Sequence, residues 1–237
     1  MASTSPTRVS NITDKLLPVI DEWQHRSLAA LYPVVFLDAV HCKVRQDGRV
    51  VNQDADMVVG IDGDGYKSVL GIGIGEHESS KCWLTVLIAV QARGVQDILV
   101  VAVDNLTGFS AAIARVFPQA DIPKCVVHQI RNSLQYAAIR PIYTAPTEDA
   151  ACAALDTFEH TWGTQYPMVI RAWRQHWDEL APFFRYPPLL RKVIDTTNLI
   201  EGYHRPLRKV TKSKSQFPTD EALMKMLYLA TREATRK

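Results

Sequence analysis

The stretch Ile98-Leu99-Val100-Val101-Ala102-Val103-Asp104 decides the fold class of this chain. It is apolar without alternation until its last residue, which predicts a strand buried on both faces, as in a parallel segment covered by helices. Strand-like runs precede it at 34–38, 57–61 and 69–74, and Asp47-Gly48 is a strong hairpin turn signal. The three early runs predict an antiparallel meander, so the sequence indicates an α/β domain with a mixed sheet.

Helical patterns surround these strands. They lie at 14–31, 79–93, 107–117 and 128–139, and the chain after Pro146 shows only helical patterns; a short strand is predicted at Ile122–Val127. The predicted order is three antiparallel strands, a helix, a strand, a helix, a short strand and then helices. The sheet is therefore expected to contain about five strands.

Composition and length narrow the class of protein. The 237 residues have room for one large domain or one domain with a sizeable insertion, and the 47% hydrophobic content supports a real core. No apolar run approaches the roughly 20 residues that a membrane span needs, and residues 1–15 show no secretory signal. Four scattered cysteines without a CxxC pair fit a reducing compartment. We therefore expect a cytoplasmic protein.

The charge is unevenly distributed along the chain. Residues 1–120 hold 10 Lys and Arg against 13 Asp and Glu, whereas residues 121–237 hold 17 against 12. The densest basic run, Arg205 to Lys214, has five cations and no acid. This asymmetry favours an anionic partner such as nucleic acid.

Two aspartates end predicted strands. Asp38 closes the first strand and Asp104 closes the long apolar one. A carboxylate at the end of an apolar strand is costly to bury without a cation, a metal or hydrogen bonds. Adjacent strands would bring the two side chains together, and a divalent cation would remove their repulsion. Each aspartate alone could equally cap the following turn.

Four stretches resemble the Mutator-type bacterial transposases and occur in that family's order. They are Phe36-Leu37-Asp38-Ala39-Val40-His41, Val103-Asp104-Asn105-Leu106-Thr107-Gly108-Phe109, Cys125-Val126-Val127-His128-Gln129-Ile130-Arg131-Asn132-Ser133 and Thr196-Thr197-Asn198-Leu199-Ile200-Glu201. The resemblance extends from about Asn11 to Arg232. It implies an RNase H-like core with a helical insertion and C-terminal helices, and an active site formed by Asp38, Asp104 and Glu201.

The same resemblance implies the chemistry and the partners. Three carboxylates can hold two Mg²⁺ or Mn²⁺ ions, one activating the nucleophile and one stabilising the leaving oxygen. The implied activity is metal-dependent cleavage and strand transfer of an insertion element. The implied partners are double-stranded DNA, as element ends and target, and a second copy of the chain in a homodimer assembled on DNA. Since phosphate contacts supply most sequence-independent affinity, the cations expected to contact DNA are Arg205, Arg208, Lys209, Lys212 and Lys214.

Other interpretations of these motifs stay open. Asn198 followed by Glu201 also matches a capping box at a helix start. Cys125-x-x-His128 is a family motif of unknown role, and two ligands alone do not make a metal site. Aromatic residues of the insertion could stack on unpaired bases or simply pack, and their helical spacing favours packing. The run Gly71-x-Gly73-x-Gly75 could be a nucleotide-binding turn, although its spacing is not that of the dinucleotide motif.

The expected organisation has four parts. A polar segment and lead-in helix occupy 1–31, the core with both aspartates 32–140, a helical insertion 141–195, and C-terminal helices with the glutamate and basic run 196–237.

Several features predict a partial or decaying copy. Almost nothing precedes the catalytic domain where the family carries its repeat-reading region, and the step from Ile139 to Pro141 is abrupt. Asn105 replaces a usual glycine, and His204 and Pro206 interrupt a predicted helix. Three functions follow from the sequence: an active transposase domain, an inactive remnant with at most weak non-specific DNA binding, or an RNase H-like host nuclease.

Overall fold

A computed structural model of the chain describes residues 14–75, 80–103, 109–122, 139–195, 197–212 and 214–235. Within these ranges a four-stranded sheet has the order β3-β2-β1-β4. Its strands are β1 (Leu31–Gln46), β2 (Arg49–Ile61), β3 (Lys67–Gly75) and β4 (Asp97–Val103). The helices are α1 (Leu17–His25), α2 (Ser80–Ala92), α3 (Phe109–Val116), α4 (Arg140–Tyr143), α5 (Glu148–Trp162), α6 (Pro167–Gln175), α7 (Trp177–Leu180), a 3₁₀ helix (Ala181–Arg185), α8 (Pro188–Asp195), α9 (Thr197–Lys212) and α10 (Asp220–Ala234).

The hairpin predicted at Asp47-Gly48 is confirmed. Both residues have positive φ, 48° and 77°, as a tight two-residue hairpin turn requires. The strands on either side are much longer than predicted, because β1 and β2 pair from Val34↔Ile61 to Gln46↔Arg49. The sequence prediction ended the first strand at Asp38. The exposed residues that follow, His41, Lys43 and Arg45, alternate with buried ones, which is the pattern of a strand with one buried face.

The apolar stretch that indicated a parallel strand forms β4. It pairs in parallel with β1 from Leu31↔Asp97 to Leu37↔Val103. The expectation of about five strands is wrong for the described residues, which contain four. The segment expected to supply the fifth adds one parallel bridge, Val100↔Asp121. Pro123 follows almost at once and has no N–H for a ladder; residues 123–138 lie outside the described ranges.

The lead-in helix is shorter than predicted. α1 ends at His25, and Arg26 is already extended, with ψ at 148°. Pro33, expected to separate helix from strand, lies inside β1. It is tolerated there because the pairing with β2 begins one residue later and the pairing with β4 uses the residues on either side of it.

Two hydrophobic clusters cover opposite faces of the sheet. On one face α2 and α3 pack through Trp83, Leu87 and Ile113 onto residues of all four strands. On the other, the helices between 139 and 195 and helices α9 and α10 share one cluster with the sheet. No helix in the described part of the chain is long and apolar enough to cross a membrane.

The glycine run of β3 allows α2 to approach closely. A Cβ atom at Gly73 would lie 2.8 Å from Cγ2 of Val86, and one at Gly75 would lie 3.1 Å from the Cys82 sulfur. The nucleotide-binding interpretation of this run is wrong, because the glycines lie within a paired strand.

Polar side chains form hydrogen bonds with backbone groups of the outer strand β3. The Gln24 amide donates to the Ile72 carbonyl (2.7 Å) and accepts from the Ile72 N–H (3.3 Å). The Arg26 guanidinium donates to the Val69 carbonyl. Arg93 donates to the carbonyl of Leu70, which is left unpaired by an irregularity in the β2–β3 register.

The segment between α9 and α10 returns to the far end of β1. Phe217 forms a parallel bridge with Val44, donating its N–H to the Lys43 carbonyl (2.7 Å) and accepting from Arg45 (2.8 Å). Gln46 at the end of the strand donates to the carboxylate of Asp220 (3.0 Å) at the start of α10.

The aromatic residues of the insertion pack against one another. Trp173 is 1% exposed, Trp162 contacts Tyr166, and Trp177 stacks on Phe184. These contacts support the packing interpretation. A separate contact joins the insertion to the sheet: the Tyr186 hydroxyl donates to Asp121 (2.9 Å).

Candidate active site

The parallel register of β1 and β4 aligns the residues that precede the two candidate aspartates. Leu37 pairs with Val103 at the end of the β1–β4 ladder. Asp38 follows the first and Asp104 follows the second in the sequence. Asp104 lies outside the described residues, as do Cys125 and His128.

The sequence prediction placed Asp38 at the end of the first strand. In the structure Asp38 lies within β1. It pairs with Met57 of β2, and its carboxylate accepts the backbone N–H of Ala39 at 2.7 Å. Alternation along the strand puts Asp38 on the same face as Phe36 and Val40, which is the face covered by α9. The side chain is partly buried.

The described pairing of β1 on the β4 side has a gap at this position. The ladder with β4 ends at Leu37, and hydrogen bonding on that side resumes at Lys43 through Phe217. Between these points, within the described ranges, residues 38–42 have no strand on that side.

Helix α9 carries Glu201 past this face of the sheet. It begins at Thr197 and packs against β1 through buried Tyr203 and Leu207. Asn198 is therefore within the first turn rather than before it, which does not support a capping box with Asn198 as the cap. The side chain of Glu201 lies outside the described atoms.

Part of the basic run lies on the exposed surface of α9. Arg205, Arg208 and Lys209 are exposed, and Arg205 and Arg208 follow Glu201 by four and seven positions. Helical spacing puts Glu201, Arg205 and Arg208 on one face of α9. Lys214, just beyond the helix, is exposed and its ammonium lies 5.6 Å from the ring centre of Phe217. The side chain of Lys212 is not among the described atoms.

Pro206 does not end the helix, contrary to the expected interruption. α9 continues through it to Lys212. Gly202 and Pro206 line a cavity of about 430 Å³ between α9, β3 and the end of α10, with Lys67 and Glu233 at its wall.

A polar cluster on the opposite face of the sheet escaped the sequence analysis. Nδ1 of His41 lies 2.5 Å from the carboxylate of Asp54, and the Cys82 thiol donates to Asp56 at 2.9 Å. Asp56 is fully buried, and one of its carboxylate oxygens has no hydrogen-bond partner among the described residues. The available signal was the alternation of Asp54 and Asp56 in an otherwise apolar strand.

Burial is the largest cause of the pKa shifts of Asp56 and Cys82 in this cluster and of Cys42 nearby. It raises the pKa of Asp56 to about 6, opposed by the Cys82 hydrogen bond and assisted by the nearby Asp54. Burial also raises the pKa of Cys82 to about 12 and that of Cys42 to about 11. Both thiols are therefore protonated at neutral pH, and Cys42, Cys82 and Cys152 form no disulfide with one another. Among the residues that the structure describes, no three His, Cys, Asp or Glu side chains are arranged to hold a metal ion.

A family comparison identifies the chain. The model of the Mutator family of transposases matches residues 1–237. The chain belongs to the Mutator transposase family. Membership agrees with the resemblance carried by the motifs around Asp38, Asp104 and Glu201.

Individual Mutator relatives are similar over nearly the whole chain. A probable transposase for an ISRM3-like insertion sequence element of Sinorhizobium fredii is 41% identical over 98% of this chain and 61% of its own length. A probable insertion-element transposase of Corynebacterium diphtheriae is 42% identical over 95% of this chain and 69% of its own length. The chain thus spans about three fifths to two thirds of these relatives.

Among solved structures, the chain matches one of the Drosophila P element transposase strand transfer complex. The match covers 96% of this chain and 57% of that chain, at 12% identity and a TM-score of 0.37. This similarity is too low to support a conclusion about the fold or the function of the Mutator chain.

Proposed function

We propose that this chain is a transposase catalytic domain that cleaves DNA and transfers strands of an insertion element. The observation that carries the proposal is the parallel register of β1 and β4, which aligns Leu37 with Val103 directly before Asp38 and Asp104. Family membership gives the class of reaction. A mixed sheet whose first three strands are antiparallel supports an RNase H-like core.

The proposed ligands suit hard divalent cations. Asp38, Asp104 and Glu201 offer only carboxylate oxygens, the donors that Mg²⁺ and Mn²⁺ prefer. Two such ions supply activation of the attacking oxygen and stabilisation of the leaving oxygen. The Asp38 carboxylate accepts the Ala39 N–H at 2.7 Å, a bond that orients the carboxylate on β1.

The chain's own residues have separate tasks in this proposal. Asp38 is held on a central strand, and therefore in a fixed position, while Glu201 is supplied by the helix packed over that face. Arg205 and Arg208, one and two turns further along α9, hold the phosphates of double-stranded DNA. Sequence-independent contacts of this kind orient the scissile bond and contribute no choice of sequence.

Two parts of the proposal concern assembly and place. Transposition joins two element ends to one target, so we propose that the chain acts as a homodimer assembled on DNA. Its substrate puts it in the cytoplasm, associated with the nucleoid when bound.

The proposal is tested by metal-dependent nicking of supercoiled DNA and by transfer of a labelled 3′ end. Asp38→Asn, Asp104→Asn and Glu201→Gln should each abolish both reactions in Mg²⁺ and in Mn²⁺, because each substitution removes a charge while conserving shape. Asp97→Asn is the matched control, since Asp97 is exposed at the opposite end of β4. Cleavage that survives in any of the three variants would remove that residue from the site.

A second candidate, an inactive remnant, is favoured by one observation. Pro206 lies inside α9, five residues after Glu201, where it removes a helical hydrogen bond. A chain that binds DNA but shows neither nicking nor strand transfer, in wild type and variants alike, would establish this candidate. Nicking without strand transfer would instead favour a host nuclease.

A further inference from the structure

The hairpin formed by β1 and β2 extends beyond both neighbouring strands. Among the residues that the structure describes, β4 pairs with β1 as far as Leu37, and β3 pairs with β2 from Asp54 onward. We call the two-stranded portion from Cys42 to Gln53 the hairpin arm; its backbone pairing in the described part of the chain is within the arm and with Phe217. At about 3.3 Å per residue, the turn of the arm lies roughly 25–30 Å from Asp38 along β1.

The two faces of the hairpin arm differ in what covers them. On one face Cys42, Val44 and Gln53 are buried, and Phe217 packs there with the start of α10. On the other face Lys43 and Arg45 of β1 are exposed. The residues paired with them on β2, Asn52 and Val50, are exposed as well. The arm is therefore a ribbon with one anchored face and one free face.

The free face and the tip of the arm are positively charged. Lys43, Arg45 and Arg49 are exposed, and within the described residues none of them forms an ion pair. Asp47 at the turn is the one acidic residue of the arm. Asp54, just beyond it, has its carboxylate against His41. Three cations on a short ribbon are a concentrated site for an anion with regularly spaced charges.

The hairpin arm is continuous with the basic run that follows α9. The Lys214 ammonium lies over the ring of Phe217, and Phe217 bonds through its backbone to Lys43 and Arg45. Exposed cations thus lead from Arg208 along the end of α9 to the arm. Alternation along β1 puts Lys43 and Arg45 on the face opposite Asp38, whereas Arg49, which pairs with Gln46, lies on the Asp38 face. A duplex held by α9 would therefore meet all three cations with the arm in its groove, where phosphates flank the ribbon on both sides.

We propose that the hairpin arm is a second DNA-binding surface, whose Lys43, Arg45 and Arg49 contact phosphates of the duplex flanking the cleavage site. The inference rests on the proposed function, because it needs DNA at Asp38. A two-stranded ribbon is narrow enough to lie along or in a groove of B-DNA. Its distance from Asp38, roughly 17 Å for Lys43 to 30 Å for the tip, corresponds to about five to nine base pairs.

The first test measures the affinity for a 30-base-pair duplex as a function of salt. Replacing Lys43, Arg45 and Arg49 together with alanine should lower the steepness of the log–log salt dependence by up to about 2.7, since each neutralised phosphate contributes about 0.9. The matched control replaces Arg115, Arg140 and Arg171, which are equally exposed but lie on α3, α4 and α6. The control should leave the slope unchanged, and melting curves should show both triple variants folded.

The second test locates the contact. The duplex is shortened in steps from either end around a fixed nick, with three to twelve base pairs left on each side. Wild type should lose affinity when one side falls below about nine base pairs, whereas the arm variant should not respond at that length. Equal responses of the wild type and the arm variant would overturn the inference, as would an arm-variant slope equal to that of the control.

Failure of the inference is distinguishable from failure of the proposed function. If Asp38→Asn abolishes cleavage but the arm variant binds like wild type, the arm is no DNA surface and the catalytic proposal stands. If wild type binds no duplex at any salt concentration, both proposals fail together.

Discussion

Pro206 stands four residues after Gly202 in α9, so the Gly202 carbonyl has no helical N–H to accept from. Pro206→Gln should restore this bond and stabilise the fold by up to about 3 kcal/mol, the usual cost of an interior proline. The adjacent cavity leaves space for the longer side chain. Urea unfolding measures the change in stability. If cleavage rises together with stability, the proline limits the geometry of Glu201; if neither changes, the helix bends there without consequence.

Gly202 offers an independent test of the same helix. A Cβ atom there would have nothing within 4 Å, so alanine fits without a clash. Gly202→Ala should therefore stabilise the protein by roughly 1 kcal/mol through helix propensity alone. Gly73→Ala is the contrasting variant, because its Cβ would lie 2.8 Å from Val86, and it should destabilise. A loss of stability in Gly202→Ala would mean that the cavity closes in solution.

The basic run at the end of α9 should control DNA affinity without controlling sequence choice. Replacing Lys209, Lys212 and Lys214 with alanine should lower the log–log salt slope by up to about 0.9 for each phosphate that a lysine neutralises. Wild type should bind an element-end duplex and a scrambled duplex equally, because backbone contacts carry no sequence information. Fluorescence anisotropy at several salt concentrations gives both results. An unchanged slope would assign the three lysines to a solvated surface.

Asp56 should make stability depend on pH. Burial raises its folded pKa to about 6, above the ordinary 3.8, so the folded state holds the proton more tightly than the unfolded chain. This contribution is fully present below about pH 4 and is lost as pH rises through 6. Asp56→Asn should remove the dependence and stabilise the protein at pH 8 by roughly 1–3 kcal/mol, at about 1.4 kcal/mol per pKa unit. Unfolding at pH 4.5 and pH 8 measures it; an equal effect at both values would contradict the assignment.

Tyr186 should tie the helical insertion to the edge of the sheet. Its hydroxyl donates to Asp121, and burial together with this bond raises the pKa of the phenol. Tyr186→Phe should cost about 1 kcal/mol, or roughly 2–4 °C in Tm. Tyr66→Phe is the control, because Tyr66 is 71% exposed on the turn between β2 and β3. A change in Tm that is the same in both variants would mean that the Asp121 bond adds nothing.

Some of the fold could be read from the sequence because the deciding signals were local. The unbroken apolar run of β4 and the Asp47-Gly48 turn each specify their structure within a few residues. The length of β1 could not be read this way. Its second half is held by Phe217, more than 170 residues later, and a contact at that separation leaves no local pattern.

In the candidate site too, local sequence patterns were informative and contacts between distant segments were not. Asp38 and Asp104 were predicted as site residues because an acid after an apolar strand is unusual, and the pairing of the residues before them, Leu37 with Val103, agrees with the expected parallel strands. The cluster of His41, Asp54, Asp56 and Cys82 was missed because its bonds join distant parts of the chain: His41 meets Asp54 across the β1–β2 pair, and Cys82 reaches Asp56 only when α2 packs against the sheet. Alternating acids in a strand signal such a cluster only once the covering helix is known.

The contacts of Gln24, Arg26 and Arg93 with β3 bear on how the protein behaves when crowded. An outer strand with open backbone groups recruits strands from other molecules, which begins aggregation. Here three side chains already donate hydrogen bonds to backbone carbonyls of that strand. Because two of the three are arginines, a variant that lacks them should form β-rich aggregates before it loses its fold.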